Sequence, residues 1–133
     1  MTGMEILSRE ECFRLLASRK VGRLGFMLDD QPLVLPVNYS LVRDIVVFRT
    51  GSGAKLGAAV GHKVAFEVDS GGEGEVTGVW SVLVQGVAED ITDAADALNV
   101  ALREGAIHPW VSDVRDHYIR VIPHVISGRW LGD

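Results

Sequence analysis

The sequence predicts a mainly β fold, a barrel-like antiparallel sheet with a few short helices. Six or seven runs rich in Val, Ile, Leu and aromatic residues alternate apolar with polar positions, the period of a half-buried strand. Short turn sequences, rather than long helical repeats, separate most of these runs. The chain has 133 residues, 47% of them hydrophobic, which is enough for one packed core and too little for two. Residues 1–133 are therefore read as a single domain, and a set of strands with few helices closes most simply as a barrel.

Taken in order, Ser8-Arg9-Glu10-Glu11 sets a serine and a glutamate at capping-box spacing, and Cys12, Leu15 and Leu16 follow on one stripe. A short amphipathic helix is expected there. Strands follow at Val21 to Leu28, at Leu33 to Tyr39 after the turn Asp29-Asp30-Gln31-Pro32, and at Ile45 to Thr50 after Arg43-Asp44, which makes a meander. Ser52 to Val60 is small and alanine-rich and suits a short helix, and His62 to Asp69 alternates as a fourth strand. Ser70 to Gly78 is glycine-rich and reads as a loop, while Val79 to Ile91 is a long strand with Gly86 expected as a bulge. Asp93 is expected to cap a helix whose Ala94, Leu98, Ala101 and Leu102 share a face covering one end of the sheet, with Gly105 stopping it. Last, His117 to Leu131 is strand-like, and Pro123 in its middle demands either an edge position or a break between two strands.

Charge excludes some function classes. Charged residues make up 23% with a net charge of −5, the opposite of the basic footprint of a nucleic-acid binder. Cys12 is the single cysteine, so no intrachain disulfide and no multi-cysteine zinc site is expected. The N-terminus has no signal-peptide pattern, and no apolar run approaches the ~18 residues that span a bilayer. The reading is a cytoplasmic protein with neither membrane nor nucleic acid as partner.

One stretch carries chemistry. In Phe48-Arg49-Thr50-Gly51-Ser52-Gly53-Ala54-Lys55-Leu56 an apolar strand ends in Arg-Thr and turns through two glycines toward a helix. Unpaired backbone N–H groups at a helix start, two basic side chains and two hydroxyls together suit a phosphate. It is not a P-loop, because Lys55 follows Ala54 and precedes Leu56 where Gly and Ser or Thr are required. Nor is it a dinucleotide fingerprint, since Leu56 stands where the third glycine belongs. On spacing alone an ordinary turn with solvated basic residues serves as well.

The order and spacing of several segments add a resemblance. Val21-Gly22-Arg23-Leu24-Gly25-Phe26, Pro36-Val37-Asn38-Tyr39, Val47-Phe48-Arg49-Thr50 with Lys55-Leu56, Val64-Ala65-Phe66-Glu67-Val68-Asp69, Trp80-Ser81-Val82-Leu83-Val84-Gln85-Gly86 and Ile119-Arg120-Val121-Ile122-Pro123 span nearly the whole chain. The chain resembles the pyridoxamine 5'-phosphate oxidase-like, FMN-binding split β-barrel proteins, in particular the short bacterial branch with nitroimidazole-resistance-like and deazaflavin-using members. The resemblance implies an antiparallel, Greek-key-like split barrel and a flavin-dependent oxidoreductase. It implies a homodimer with the cofactor at the interface, acting on a small organic substrate. By that resemblance Arg49, Thr50, Ser52 and Lys55 hold the phosphate of FMN, Pro36, Val37 and Asn38 lie along the flavin ring, and Trp80 and Ser81 sit on the neighbouring strand. Residues near Arg129 and Trp130 are placed within reach of the partner's flavin. The flavin carries the chemistry, so no catalytic side chain and no metal ligand is assigned. A deazaflavin coenzyme is the alternative cofactor, and a non-catalytic flavin carrier the alternative role. The C-terminal segment that binds the vitamin phosphate in true pyridoxamine phosphate oxidases has no counterpart before Asp133, which counts against the vitamin reaction.

The remaining candidates read as structural. Trp110 and Trp130 suit a core or an interface, and Glu67 and Asp69 suit the solvated side of a strand. His62, His108, His117 and His124 show no metal-ligand spacing, although some split-barrel relatives bind haem and His124 is the histidine such a role would use. For the Gly-Glu loop at 71–78, a hairpin tip is the simpler reading than a lid.

Overall fold

A computed structural model describes residues 3–51, 55–71, 78–106 and 116–132. Eight strands and two α-helices are formed among them: β1 Gly3–Ile6, α1 Arg9–Ala17, β2 Val21–Leu28, β3 Gln31–Val42, β4 Ile45–Thr50, β5 Lys63–Asp69, β6 Val79–Asp90, α2 Ala97–Gly105, β7 His117–Val121 and β8 Val125–Gly132. The sheet order is β1-β8-β6-β5-β2-β3-β4-β7, and a further β6–β7 pairing closes six of these strands into an antiparallel barrel. Within it β5-β2-β3-β4 is the spatial order of a Greek key. This is the expected split β-barrel.

Two hairpins set the meander. Asp29 and Asp30, and again Arg43 and Asp44, take positive φ in pairs, the backbone of a two-residue turn whose twist matches the strands it joins. The meander also continues past Tyr39, because β3 first pairs with β2 from Gln31 to Asn38 and then with β4 from Tyr39 to Val42. In α1, the Ser8 hydroxyl accepts from the Glu11 N–H, and Cys12, Leu15 and Leu16 turn inward as the stripe required. They join a core of Leu24, Phe26, Phe48, Phe66, Val82 and Val84 inside the barrel. A second, smaller cluster of Ile45, Val47, Ile91 and Leu102 lies outside it, under α2.

Four details differ from expectation. α2 starts at Asp96, whose carboxylate accepts from the Asn99 N–H, and not at Asp93. The Ile91 and Ala94 carbonyls are instead taken by Arg103 Nη1 at 2.6 and 2.7 Å, which holds the preceding turn apart from the helix. Gly86 is not a bulge, since the β5–β6 register runs unbroken from Lys63↔Val87 to Asp69↔Ser81. It is a point of close approach, where an added Cβ would lie 2.3 Å from the Ile122 carbonyl oxygen. The helix expected over Ser52 to Val60 is a 3₁₀ helix at Lys55–Ala59, with 52–54 outside the described residues, as are 72–77 of the glycine-rich loop. Finally, β1 adds a strand that the alternation did not reveal, pairing with β8. Pro123 falls in the break between β7 and β8, one of its two expected places.

Candidate functional site

The strand alternation divides the candidate residues among three places. On β3, Val37 is buried in the barrel core while Pro36 and Asn38 are exposed on the outer face. Cross-strand pairing carries that outer row from Pro36 through Arg23, Glu67 and Leu83 to Ser127. Ser81 lies on the same face and Trp80 on the other side of β6, against the main core, with the Arg19 guanidinium 5.2 Å from its ring centroid. Trp80, Ser81, Arg23, Asp69 and Arg129 line one cavity of about 500 Å³. Arg129, which the resemblance placed near a partner, therefore opens onto the same outer face.

One arginine holds two carboxyls on this face. Arg23 Nη1 bridges Glu67 at 2.9 Å and Asp69 at 2.8 Å. Burial, then the facing Asp69, raises the Glu67 carboxyl above the usual range despite Arg23. Burial also pushes Asp69 up, but hydrogen bonds from Glu67, the Gly71 N–H and Arg23 outweigh it and hold that carboxyl low. The two carboxyls lie on the outer, solvated side of the strand as expected, and there they share one arginine.

At the end of β4 alternation sends Arg49 and Thr50 to opposite sides. Arg49 is only 9% exposed, donates from Nη2 to Asp116 Oδ2 at 2.5 Å and lies 5.3 Å over the Tyr118 ring. Its Nε and Nη1 are buried and make no hydrogen bond among the described residues. Buried donors left this way are costly, and an anionic oxygen would satisfy either of them. Thr50 instead faces a cavity of about 270 Å³ with Gly51, Gly57, Asp90 and His117. There His117 Nδ1 lies 2.8 Å from Asp90 Oδ2. Burial pushes the Asp90 carboxyl up, but hydrogen bonds from the Thr92 hydroxyl and N–H and from His117 more than offset it and keep it below the ordinary range.

Lys55 is exposed at the first position of the 3₁₀ helix, and Ser52 lies outside the described residues. So short a helix adds little dipole at its start. The last β3–β4 pair next to these groups, Tyr39↔Phe48, brings Asn38 and Arg49 to neighbouring positions on adjoining strands. Asp116 and the Asp90–His117 pair were not anticipated from the sequence. Their partners lie 67 and 27 residues away, and no local pattern marks such pairs. Among the described residues no group of three or more His, Cys, Asp or Glu is placed to hold a metal. No described helix is long and apolar enough to cross a membrane.

Residues 8–130 match the family model described as pyridoxamine 5'-phosphate oxidase. The chain belongs to this family. Among its relatives, an uncharacterised protein of Mycobacterium tuberculosis is 37% identical over 128 residues, covering 92% of this chain and 82% of that protein. The solved structure of an FAD-binding protein from Mycobacterium smegmatis superposes with a TM-score of 0.82 at 34% identity, covering 97% of this chain and 99% of that one. An FAD-binding protein from Mesorhizobium loti gives 0.79 at 26% identity, with both chains covered in full. Family membership and the barrel geometry thus agree on the split-barrel fold.

Proposed function

We propose that the protein is a flavin-nucleotide-binding oxidoreductase that works as a homodimer. The observation that carries this is the buried Arg49 guanidinium, whose Nε and Nη1 lack partners among the described residues at the strand end that leads to Lys55. Guanidinium donors without partners suit anionic oxygens, each donor taking its own acceptor, and Lys55 adds a mobile charge farther along the same stretch. The FAD-binding relatives at 34% and 26% identity support a flavin and widen the choice from FMN to FMN or FAD. A bound flavin supplies hydride and electron transfer.

In this reading the chain binds and orients. Arg49, Ser52 and Lys55 hold the phosphate end, Thr50 turns to the opposite side of β4, and Pro36, the Val37 backbone and Asn38 lie along the ring on the outer side of β3. Ser81 and Trp80 border it on β6. The outer face also exposes Val34 at 64%, Met27 at 56%, Val21 at 54% and Val125 at 53%. These exposed apolar residues, on either side of the Arg23–Glu67–Asp69 charges, support a second copy as their cover, which would exclude water from a flavin between the two.

The test is a visible-absorption titration of ligand-stripped protein with FMN, FAD, riboflavin and deazaflavin coenzyme, followed by turnover with nicotinamide donors. Saturable FMN or FAD binding that Lys55→Ala weakens about tenfold or more, with riboflavin unaffected by the substitution, supports the reading. Binding of none of the four overturns it, and tight binding without turnover by any donor replaces the oxidoreductase with a flavin carrier.

A further inference from the structure

The small cavity at the barrel end is lined with chemistry that a phosphate does not need. Thr50 pairs with His117 across β4 and β7, and Asp90 pairs with Ile119 across β6 and β7. His117 and Ile119 are two residues apart on one strand, so Thr50, His117 and Asp90 all project to the same side of the sheet. They meet in the cavity of about 270 Å³, whose floor Gly51 and Gly57 leave open.

The groups are held in place. Asp90 Oδ1 accepts from the Thr92 N–H at 2.9 Å and the Thr92 hydroxyl at 2.5 Å, and Thr92 Oγ1 in turn accepts from the Tyr118 N–H at 3.0 Å. Asp90 Oδ2 is left for His117 Nδ1. With the carboxyl ionised, the proton between them sits on Nδ1, and Nε2 remains for a ligand. Thr50 is buried, and among the described residues its hydroxyl makes one long contact of 3.5 Å, to the Gly51 carbonyl. The described lining therefore offers a carboxylate, an imidazole nitrogen and a hydroxyl, with no lysine or arginine among them. A carboxylate repels phosphate but accepts hydrogen bonds from hydroxyl groups. The volume lies below the roughly 300–1,000 Å³ of pockets that enclose a whole drug-sized ligand, so it suits a short chain and not a ring system.

We propose that this cavity is a polyol subsite, in which Thr50, Asp90 and His117 hydrogen-bond the hydroxyls of a short hydroxylated carbon chain. Such a chain comes either as a free polyol or as the ribityl segment of a flavin, and Thr50, at the junction with the Arg49–Lys55 stretch, suits the second source. The subsite does not depend on the flavin reading, because both sources present the same hydroxyls.

The test follows the His117 imidazole resonances of the full chain by NMR during titration with ribitol, riboflavin, lumiflavin and inorganic phosphate. Ribitol or riboflavin should shift them saturably, and Thr50→Val and Asp90→Asn should each weaken that binding about tenfold. Lumiflavin, the same ring without the hydroxylated chain, and phosphate should leave His117 unmoved. A response to ribitol but not riboflavin identifies a free polyol as the source. Movement of His117 by phosphate or lumiflavin to the same extent as by riboflavin, or by none of the four, overturns the subsite. If lumiflavin and FMN bind nowhere while ribitol moves His117, the flavin reading falls and the subsite stands. Ligand selectivity of the unmodified protein decides the matter even where a variant fails to fold.

Discussion

Gly86→Ala should destabilise the protein by about 3 kcal/mol, because the site closes the barrel. β6 pairs with β8 over Val79 to Gln85 and with β7 over Ala88 to Asp90. The chain crosses from one partner to the other at Ile122 to His124, opposite Gly86, and the His124 N–H is tied to the Gln85 carbonyl at 2.9 Å. A Cβ on Gly86 would stand 2.3 Å from the Ile122 carbonyl oxygen and 3.1 Å from Val121 Cγ1. Relief requires the Ile122 backbone to withdraw by about 1 Å from its contact position. Pro123 follows directly, fixes its own φ and resists that movement. Overpacking costs about 1–3 kcal/mol, and a backbone obstacle places this case at the upper end. Urea unfolding at a fixed protein concentration measures it, and the melting temperature should drop by about 10 °C. Gly57→Ala, where an added Cβ meets nothing within 4 Å, is the control and should stay within about 0.5 kcal/mol. A Gly86→Ala midpoint equal to that of the unmodified protein would refute the crossover as the reason for the glycine.

Tyr39→Phe removes the hydrogen bond that the buried hydroxyl donates to the Leu16 carbonyl and should cost about 0.5–1.5 kcal/mol in the same unfolding assay. Burial pushes the Tyr39 hydroxyl up to about 12, so its contribution is intact below the usual value near 10 and is lost as pH rises through 12; Tyr39→Phe should flatten that alkaline loss. Arg49→Met, which removes the hydrogen bond to Asp116, should cost about 1.5 kcal/mol, whereas Arg49→Lys should recover part of the stability without restoring the flavin-phosphate affinity that the proposed function assigns to the guanidinium, measured by absorption titration. In the proposed homodimer Val34 lies on the covered outer face, so Val34→Glu should move the sedimentation profile toward monomer while leaving the fold, measured by circular dichroism, unchanged; a profile that does not change would count against that face as the interface.

Legibility in the sequence followed the range of the interaction. The Ser8–Glu11 cap, the strand at Val21 to Leu28 and the turn at Arg43-Asp44 are set by neighbours a few residues apart, and all three form as read. Asp93 and Asp96 offer the same cap chemistry three residues apart, and Arg103, on the far side of the helix, decides between them. β1 escaped notice because its four residues leave three side chains exposed, so no buried face imposes an alternation. Gly86 carried a true signal with two meanings, bulge or close approach, and only the position of Ile122 separates them. In the candidate site the sequence exposed Arg49 as a basic residue at the end of a strand but not its burial against Asp116 and Tyr118.

The partner switch in β6 also explains how one small barrel presents two unlike surfaces. Up to Gln85 the strand lies between β5 and β8 in a broad sheet, whose outer side carries Ser81, Leu83 and Gln85 beside exposed apolar neighbours. Past Gly86 it turns its edge to β7, and the same strand now brings Asp90 to His117 at the barrel end. A ligand with an apolar ring and a hydroxylated, anionic tail needs both environments within one molecule's length. The ring would take the apolar sheet side, and the tail would take the polar barrel end, where Thr50 and Arg49 leave β4 on opposite faces. Moving the switch by one residue would reverse the inward and outward sets beyond it and send Asp90 away from His117. The close contact at Gly86 is thus a constraint on the site as much as on the fold.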